Sequence, residues 1–160
     1  MGSIPFGLIL TKVFLKKDIR DVGSGNIGAT NVLRTGNKLI GYFTLILDVL
    51  KAVIPVLYVK LNFPELVYIS SLSTFIGHVF PIWLKFKGGK GVATYVGILC
   101  CININLGIFF GIIWLITLLI FKYSSLSSLI GSLSIPIINF FIFNNEIVFF
   151  FIIMFVLIFY

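Results

Sequence analysis

Acidic side chains are few in this chain: five occur, Asp18, Asp21, Asp48, Glu65 and Glu146, scattered along the 160 residues. A cage of about six to eight oxygens for calcium or magnesium is therefore improbable, and no metal site is expected. The same scatter leaves paired carboxylates and a Ser-His-Asp arrangement without support; the single histidine is His78. The two cysteines, Cys100 and Cys101, are adjacent in an apolar run, without the spacing of a zinc site or a disulfide framework, and read as small packing residues. Charge as a whole is sparse. Only 11% of residues are charged, against about 25% in soluble domains, which leaves no soluble domain to carry function.

What fills the chain is apolar: 59% hydrophobic residues with a mean hydropathy of +1.17. At roughly 20 residues per helical span, the expectation is an all-α, polytopic transmembrane bundle forming one domain over residues 1–160. About seven membrane segments fit. The first, Met1 to Leu15, would be incomplete, because its length gives only about 22 Å of helix against a ~30 Å hydrocarbon core. Lys12 follows the apolar residues rather than preceding them, so a cleaved signal peptide is not expected.

A polar stretch from Lys16 to Asn37 comes next, then spans over Lys38–Lys60 and Leu66–Leu84. A short apolar segment from Gly91 to Ile102 is the fourth, followed by Asn103–Phe121, Leu126–Phe143 and Ile147–Tyr160, with a turn at Asn144 to Glu146 before the last. Net charge is +7, yet the basic residues are spread over loops, which argues against nucleic acid. If the spans alternate, ten of the twelve basic residues fall on one side, with Lys51 inside a helix and Lys60 opposite; by the positive-inside rule that side faces the cytoplasm.

Two segments are unlike the lipid-compatible remainder: GSGNIGATN from Gly23 to Asn31, and KFKGGKG from Lys85 to Gly91. Gly23, Gly25 and Gly28 match G-x-G-x-x-G with Asp48 twenty residues on, but a dinucleotide fingerprint needs a strand before it, and here membrane helices surround it. KGGKGVAT lacks the Lys-Ser/Thr pair of a Walker loop. The chemistry both offer is anion binding. Glycines let backbone N–H groups approach a ligand, Ser24, Asn26, Thr30 and Asn31 add hydrogen bonds, and Arg34 adds a fork of donors. In the second segment Lys87, Gly88, Gly89, Lys90 and Gly91, with Thr94, stand at the start of a short helix, whose dipole favours an anion. His78 precedes that loop, where an imidazole could donate to a phosphate or carry a proton. Asp48 and Lys51, three apart on one helix, either neutralise each other or face a polar cavity.

GSIPFG, GSGNIGATNVLR, LDVLKA, GHVFP and FKGGKGVAT occur in that order between Gly2 and Thr94, within a likeness that runs over almost the whole chain. In these motifs it resembles the PlsY type of bacterial acyl-phosphate:glycerol-3-phosphate acyltransferases. The resemblance implies a seven-helix enzyme of the bacterial inner membrane, its glycine-rich loops facing the cytoplasm. It would transfer an acyl group from acyl phosphate to the sn-1 hydroxyl of glycerol 3-phosphate, giving lysophosphatidic acid and phosphate for phospholipid synthesis. No cofactor and no obligate protein partner are implied. Lys90, Ser24 and His78 are the candidate catalytic residues. The first segment would hold glycerol 3-phosphate, and Gly88 to Gly91 with Lys90 would cradle the acyl phosphate. The family's first helix has further apolar residues before GSIPFG, and a His-Arg-Glu-Asn-like segment follows its last helix. Both are expected to fall outside this sequence. A small transporter of a phosphorylated solute and an inactive, shortened family member are the alternatives.

Overall fold

The structure is a computed structural model that describes residues 1–143 and 147–159; the expected turn at Asn144–Glu146 and the terminal Tyr160 lie outside the described residues. Helices α1 Phe6–Phe14, α2 Ala29–Leu33, α3 Lys38–Asn62, α4 Val67–Val79, α5 Val92–Ile102, α6 Ile104–Phe121, α7 Ser124–Ile138 and α8 Val148–Phe159 follow one another, and among the described residues there is no strand. The dinucleotide pattern is thus excluded by its surroundings. Among the described residues, four stretches are long and apolar enough to cross a membrane: Lys38–Asn62, Pro64–Leu84, Ile104–Phe121 and Ser124–Ile142.

Helix ends follow local chemistry. Asn37 caps α3 by accepting from the Ile40 N–H at 3.0 Å, and Asn103 caps α6 through the Asn105 N–H. The third expected span does not run unbroken to Leu84. Pro81, which lacks an N–H and disfavours helical geometry in Phe80, ends α4 at Val79, and a 3-10 turn over Ile82–Leu84 follows. The polar stretch Lys16–Asn37 is also more ordered than a loop, since α2 and a 3-10 turn at Ile19–Asp21 lie within it.

Packing joins α3, α5, α6, α7, α8 and α4 into a closed ring. Phe75 of α4, Tyr95 of α5, Leu106 of α6, Ile135 of α7, and Phe151 and Met154 of α8 fill its centre. Tyr95 meets Phe75 and Phe110 edge-on, at 6.3 and 5.7 Å between ring centroids. A smaller core of Leu8, Ile19, Ile27, Val32 and Ile40 lies beneath the first glycine-rich segment. Outward faces carry exposed Leu39, Ile46, Ile69, Ile116 and Leu119, the surface a helix presents to lipid.

The short helix α5 sets the architecture of the site. It runs alongside the distal half of α3: the Thr94 hydroxyl donates to the Asp48 carbonyl at 3.4 Å, Gly97 sits against Val49 and Ala52, and the Lys60 ammonium donates to the Cys101 carbonyl at 2.6 Å. Asp48 lies ten residues into α3, roughly 15 Å along its axis, so α5 begins about halfway down the bundle. The 11 residues of α5 span about 16 Å, half the hydrocarbon thickness. Above its N-terminus the space between α3 and α6 is left open.

Candidate functional site

The first glycine-rich segment is organised by Asn31, which is 2% exposed. Its amide nitrogen donates to the carbonyls of Ile19 (3.1 Å), Val22 (2.8 Å) and Asn26 (2.8 Å), and its oxygen accepts the Ser24 N–H at 3.0 Å. Gly23 has φ +55°, and a Cβ there would run into Asn31 Oδ1 and the Arg34 side chain, so glycine alone permits the turn that presents Ser24. Gly25 closes the turn through its N–H to Val22 O, and Gly28, donating to Asn26 Oδ1 at 2.8 Å, opens α2. Asp18 anchors the outer edge by pairing with Arg20 at 2.6 Å and Lys12 at 3.1 Å; the Arg20 guanidinium holds its carboxyl well below the usual carboxylate range.

The second segment folds back against the end of α4. Lys85 and Phe86 both take left-handed backbone, φ 53° and 63°, which reverses the chain at a cost of about 1–3 kcal/mol each. Gly88 then donates to the Val79 carbonyl at 3.0 Å and Gly89 to that of His78 at 3.2 Å. A Cβ on Gly88 would strike those carbonyls, and one on Gly89 the His78 imidazole. This differs from the expectation that successive glycine N–H groups face an anion: those of Gly88 and Gly89 are consumed inside the protein, because non-helical backbone sunk into a bundle must satisfy its own polar groups. The donors left at the turn are the Lys90 side chain and the opening N–H groups of α5, which have no acceptor within the helix. Gly91, at φ +78° against the Phe75 ring, starts that helix.

Both segments border one cavity of about 670 Å³. Of the residues expected from sequence, Ser24, Asn26, Gly28, Thr30, Asn31, Arg34, His78, Lys90 and Gly91 line it; Gly23, Gly25, Lys87, Gly88, Gly89 and Thr94 do not. Lys87 is exposed on the surface, and Thr94 is fully buried against Asp48. His78 is 4% exposed, and its Nδ1 has no hydrogen-bond partner among the described residues. Asp48 and Lys51 satisfy both readings left open by the sequence: they pair at 2.6 Å, Lys51 also donates to the Ile4 carbonyl at 2.7 Å, and Asp48 reaches the cavity wall.

The opposite wall carries no signal in the sequence. Phe110, Gly111, Trp114 and Leu118 of α6 line it, facing Leu45 and Val49 of α3. Lys122, which follows α6, and Ser124, the first residue of α7, also line the cavity. Thr30 and Ser124 hydroxyls lie 3.4 Å apart, and Trp114 Nε1 donates to Ser128 Oγ at 3.2 Å. The α6 wall gave no signal because that helix is apolar on every side. The cavity thus joins a cationic side carrying Arg34, Lys90 and Lys122, with Asp48 already paired to Lys51, to a largely apolar wall from α3 and α6. Such a site suits an amphiphile with a phosphate head.

The family model for glycerol-3-phosphate acyltransferase matches residues 1–160. The chain belongs to the glycerol-3-phosphate acyltransferase family. It is 71% identical over 160 residues to the glycerol-3-phosphate acyltransferase of Pelagibacter ubique, covering 100% of this chain and 83% of the relative. Identity to that of Mesorhizobium japonicum is 46%, covering 99% and 82%. This acyltransferase also superimposes on the crystal structure of PlsY (YgiH), an integral membrane glycerol 3-phosphate acyltransferase. Against the glycerol 3-phosphate form the TM-score is 0.92 at 36% identity, and against the lysophosphatidic acid form 0.89 at 35%, each covering 99% of this chain and 81% of that one. The transporter alternative gives way to a membrane acyltransferase.

Proposed function

We propose that this acyltransferase takes its acyl group from acyl phosphate and passes it to the sn-1 hydroxyl of glycerol 3-phosphate in the cavity between α2, α3, α5 and α6. The observation that carries the reading is the division of one cavity into a cationic wall and an apolar wall. Glycerol 3-phosphate is small and wholly polar; acyl phosphate has an anionic head and a long apolar tail. The two solved relatives, in glycerol 3-phosphate and lysophosphatidic acid forms, point the same way.

In this reading Arg34 and Ser24, with Asn26 and Thr30 beside them, hold the phosphate of glycerol 3-phosphate, and Asn31 shapes the turn that presents them. Lys90 and the opening turn of α5 hold the phosphate of the donor. The hydroxyl oxygen attacks the acyl carbonyl carbon, the bond from that carbon to the phosphate oxygen breaks, and phosphate leaves with the electron pair. A mixed anhydride is already activated, so the protein supplies alignment and charge stabilisation. The departing phosphate takes the hydroxyl proton. His78, enclosed by Gly89, holds the loop that carries Lys90. No cofactor enters the scheme. The remaining parts of the reading are seven membrane segments in a bacterial inner membrane, the cationic rim facing the cytoplasm, and no obligate protein partner.

Purified protein in liposomes should release phosphate from palmitoyl phosphate only when glycerol 3-phosphate is present, and form lysophosphatidic acid in equal amount. Lys90→Ala and Arg34→Ala should each lower kcat/KM by about 100-fold or more, the scale of losing a charge stabiliser. Wild-type turnover in either variant would remove that residue from the scheme, and solute flux without phosphate release would replace acyl transfer by transport.

A further inference from the structure

The apolar wall of the cavity contains a position without a side chain. Gly111 lines the cavity from α6, and a Cβ built there meets no heavy atom within 4 Å. That openness is unusual among the α5–α7 glycines. A Cβ on Gly97 would press on the Val49 carbonyl, one on Gly107 on Cys100, and one on Gly131 on the Phe110 ring. Those three are needed for close helix packing. Packing gives no reason for glycine at 111.

Its surroundings supply one. Because α5 is half a membrane tall, α3 and α6 are held apart above it, and the gap is the apolar half of the cavity. Leu45 and Val49 form one side, and Phe110, Trp114 and Leu118 form the other. Phe110 is 3% exposed and stacks edge-on against Tyr95, which closes the gap toward the bundle centre. Trp114 is fixed by its hydrogen bond to Ser128. Leu45, by contrast, is 44% exposed, and Gly111 is exposed as well. The gap is therefore shut inward and open sideways, to where the lipid lies. A chain anchored by its phosphate near Lys90 and directed along this gap passes Gly111 on its way out.

We infer that Gly111 is a specificity-determining residue: the absent side chain keeps the gap between α3 and α6 wide enough for long acyl chains to leave the cavity toward the bilayer. The inference rests on the acyl-phosphate reading above. A side chain at 111 fills the passage without touching the polar wall, so short acyl groups that end before it are accommodated while long ones are obstructed. Discrimination by blocked apolar contact is typically about 10- to 200-fold.

The test is a graded series, Gly111→Ala, Gly111→Val and Gly111→Leu, in the whole encoded protein reconstituted in liposomes, with octanoyl phosphate and palmitoyl phosphate as donors. The ratio of kcat/KM for palmitoyl to octanoyl phosphate should fall with side-chain size, by about tenfold or more at leucine, with KM for glycerol 3-phosphate unchanged. A ratio that stays level across the series, whether or not total activity drops, overturns the inference while leaving the reaction intact. Should Gly111→Leu not be recovered from membranes, the alanine and valine variants read the same ratio. Wild-type protein that turns over neither acyl phosphate overturns both the inference and the reading beneath it.

Discussion

Asn31 looked from sequence like one more ligand for a phosphate, beside Ser24, Asn26 and Thr30. An amide in a glycine-rich turn serves a ligand or the turn itself equally well, and nothing in GSGNIGATN distinguishes the two. The fold decides, because Asn31 commits its oxygen and its nitrogen to four backbone groups, at 2.8 to 3.1 Å. Asn31→Ala should leave those groups unpaired in a buried setting, at about 1–3 kcal/mol for each that water cannot reach. The expected result is a lower melting temperature in detergent together with faster proteolysis between Arg20 and Arg34, and a KM for glycerol 3-phosphate raised by the disordered turn. A variant that keeps wild-type melting and proteolysis but loses kcat would instead place the Asn31 amide on the substrate. That Arg34 and Lys90 line the cavity agrees with the sequence for the opposite reason. A cation beside a glycine-rich turn marks an anion site, whereas the equally cationic Lys122 has no glycine beside it and carries no such signal.

Among the elements, α5 shows where hydropathy stops being informative. Its shortness was readable from the chain, and so was the basic, glycine-rich turn at its start. Its register against α3 was not, since that depends on Gly97 fitting against Val49 and Ala52, on Thr94 at the Asp48 carbonyl, and on Lys60 closing its far end. A lysine on the C-terminal carbonyls also complements the helix dipole. Such contacts pair residues some 40 positions apart, beyond any local pattern. Gly97→Val should therefore overpack the α3–α5 contact at a cost of about 1–3 kcal/mol. The shift would move Lys90 with the helix, so kcat should fall for octanoyl and palmitoyl phosphate alike. That equal loss, measured beside the chain-length-dependent loss at Gly111, separates a packing glycine from a passage glycine; a Gly97→Val enzyme with wild-type melting and turnover would show that α5 does not depend on this register.

At the scale of the whole molecule, composition was enough for an all-helical membrane bundle. It was not enough for the ring closed by α4 and α8, or for the α6 wall. What joins the scales is charge. Arg34, Lys90 and Lys122 reach the cavity from three separate parts of the chain, and if the spans alternate, Lys12, Lys16, Lys17, Arg20, Lys38, Lys85 and Lys87 fall on the same side. Lys60 lies at the opposite end, held by the C-terminus of α5. An excess of Lys and Arg sets orientation during insertion, so on the proposed topology the cationic cavity should open on the cytoplasmic side, where soluble glycerol 3-phosphate would enter. With Cys100 and Cys101 replaced by alanine, single cysteines at Lys122 and at Asn62 report the arrangement. In intact cells a membrane-impermeant maleimide should label the cysteine at 62 and spare that at 122, and permeabilisation should expose both. Labelling of position 122 from outside would invert the topology, and with it the side from which the substrate arrives.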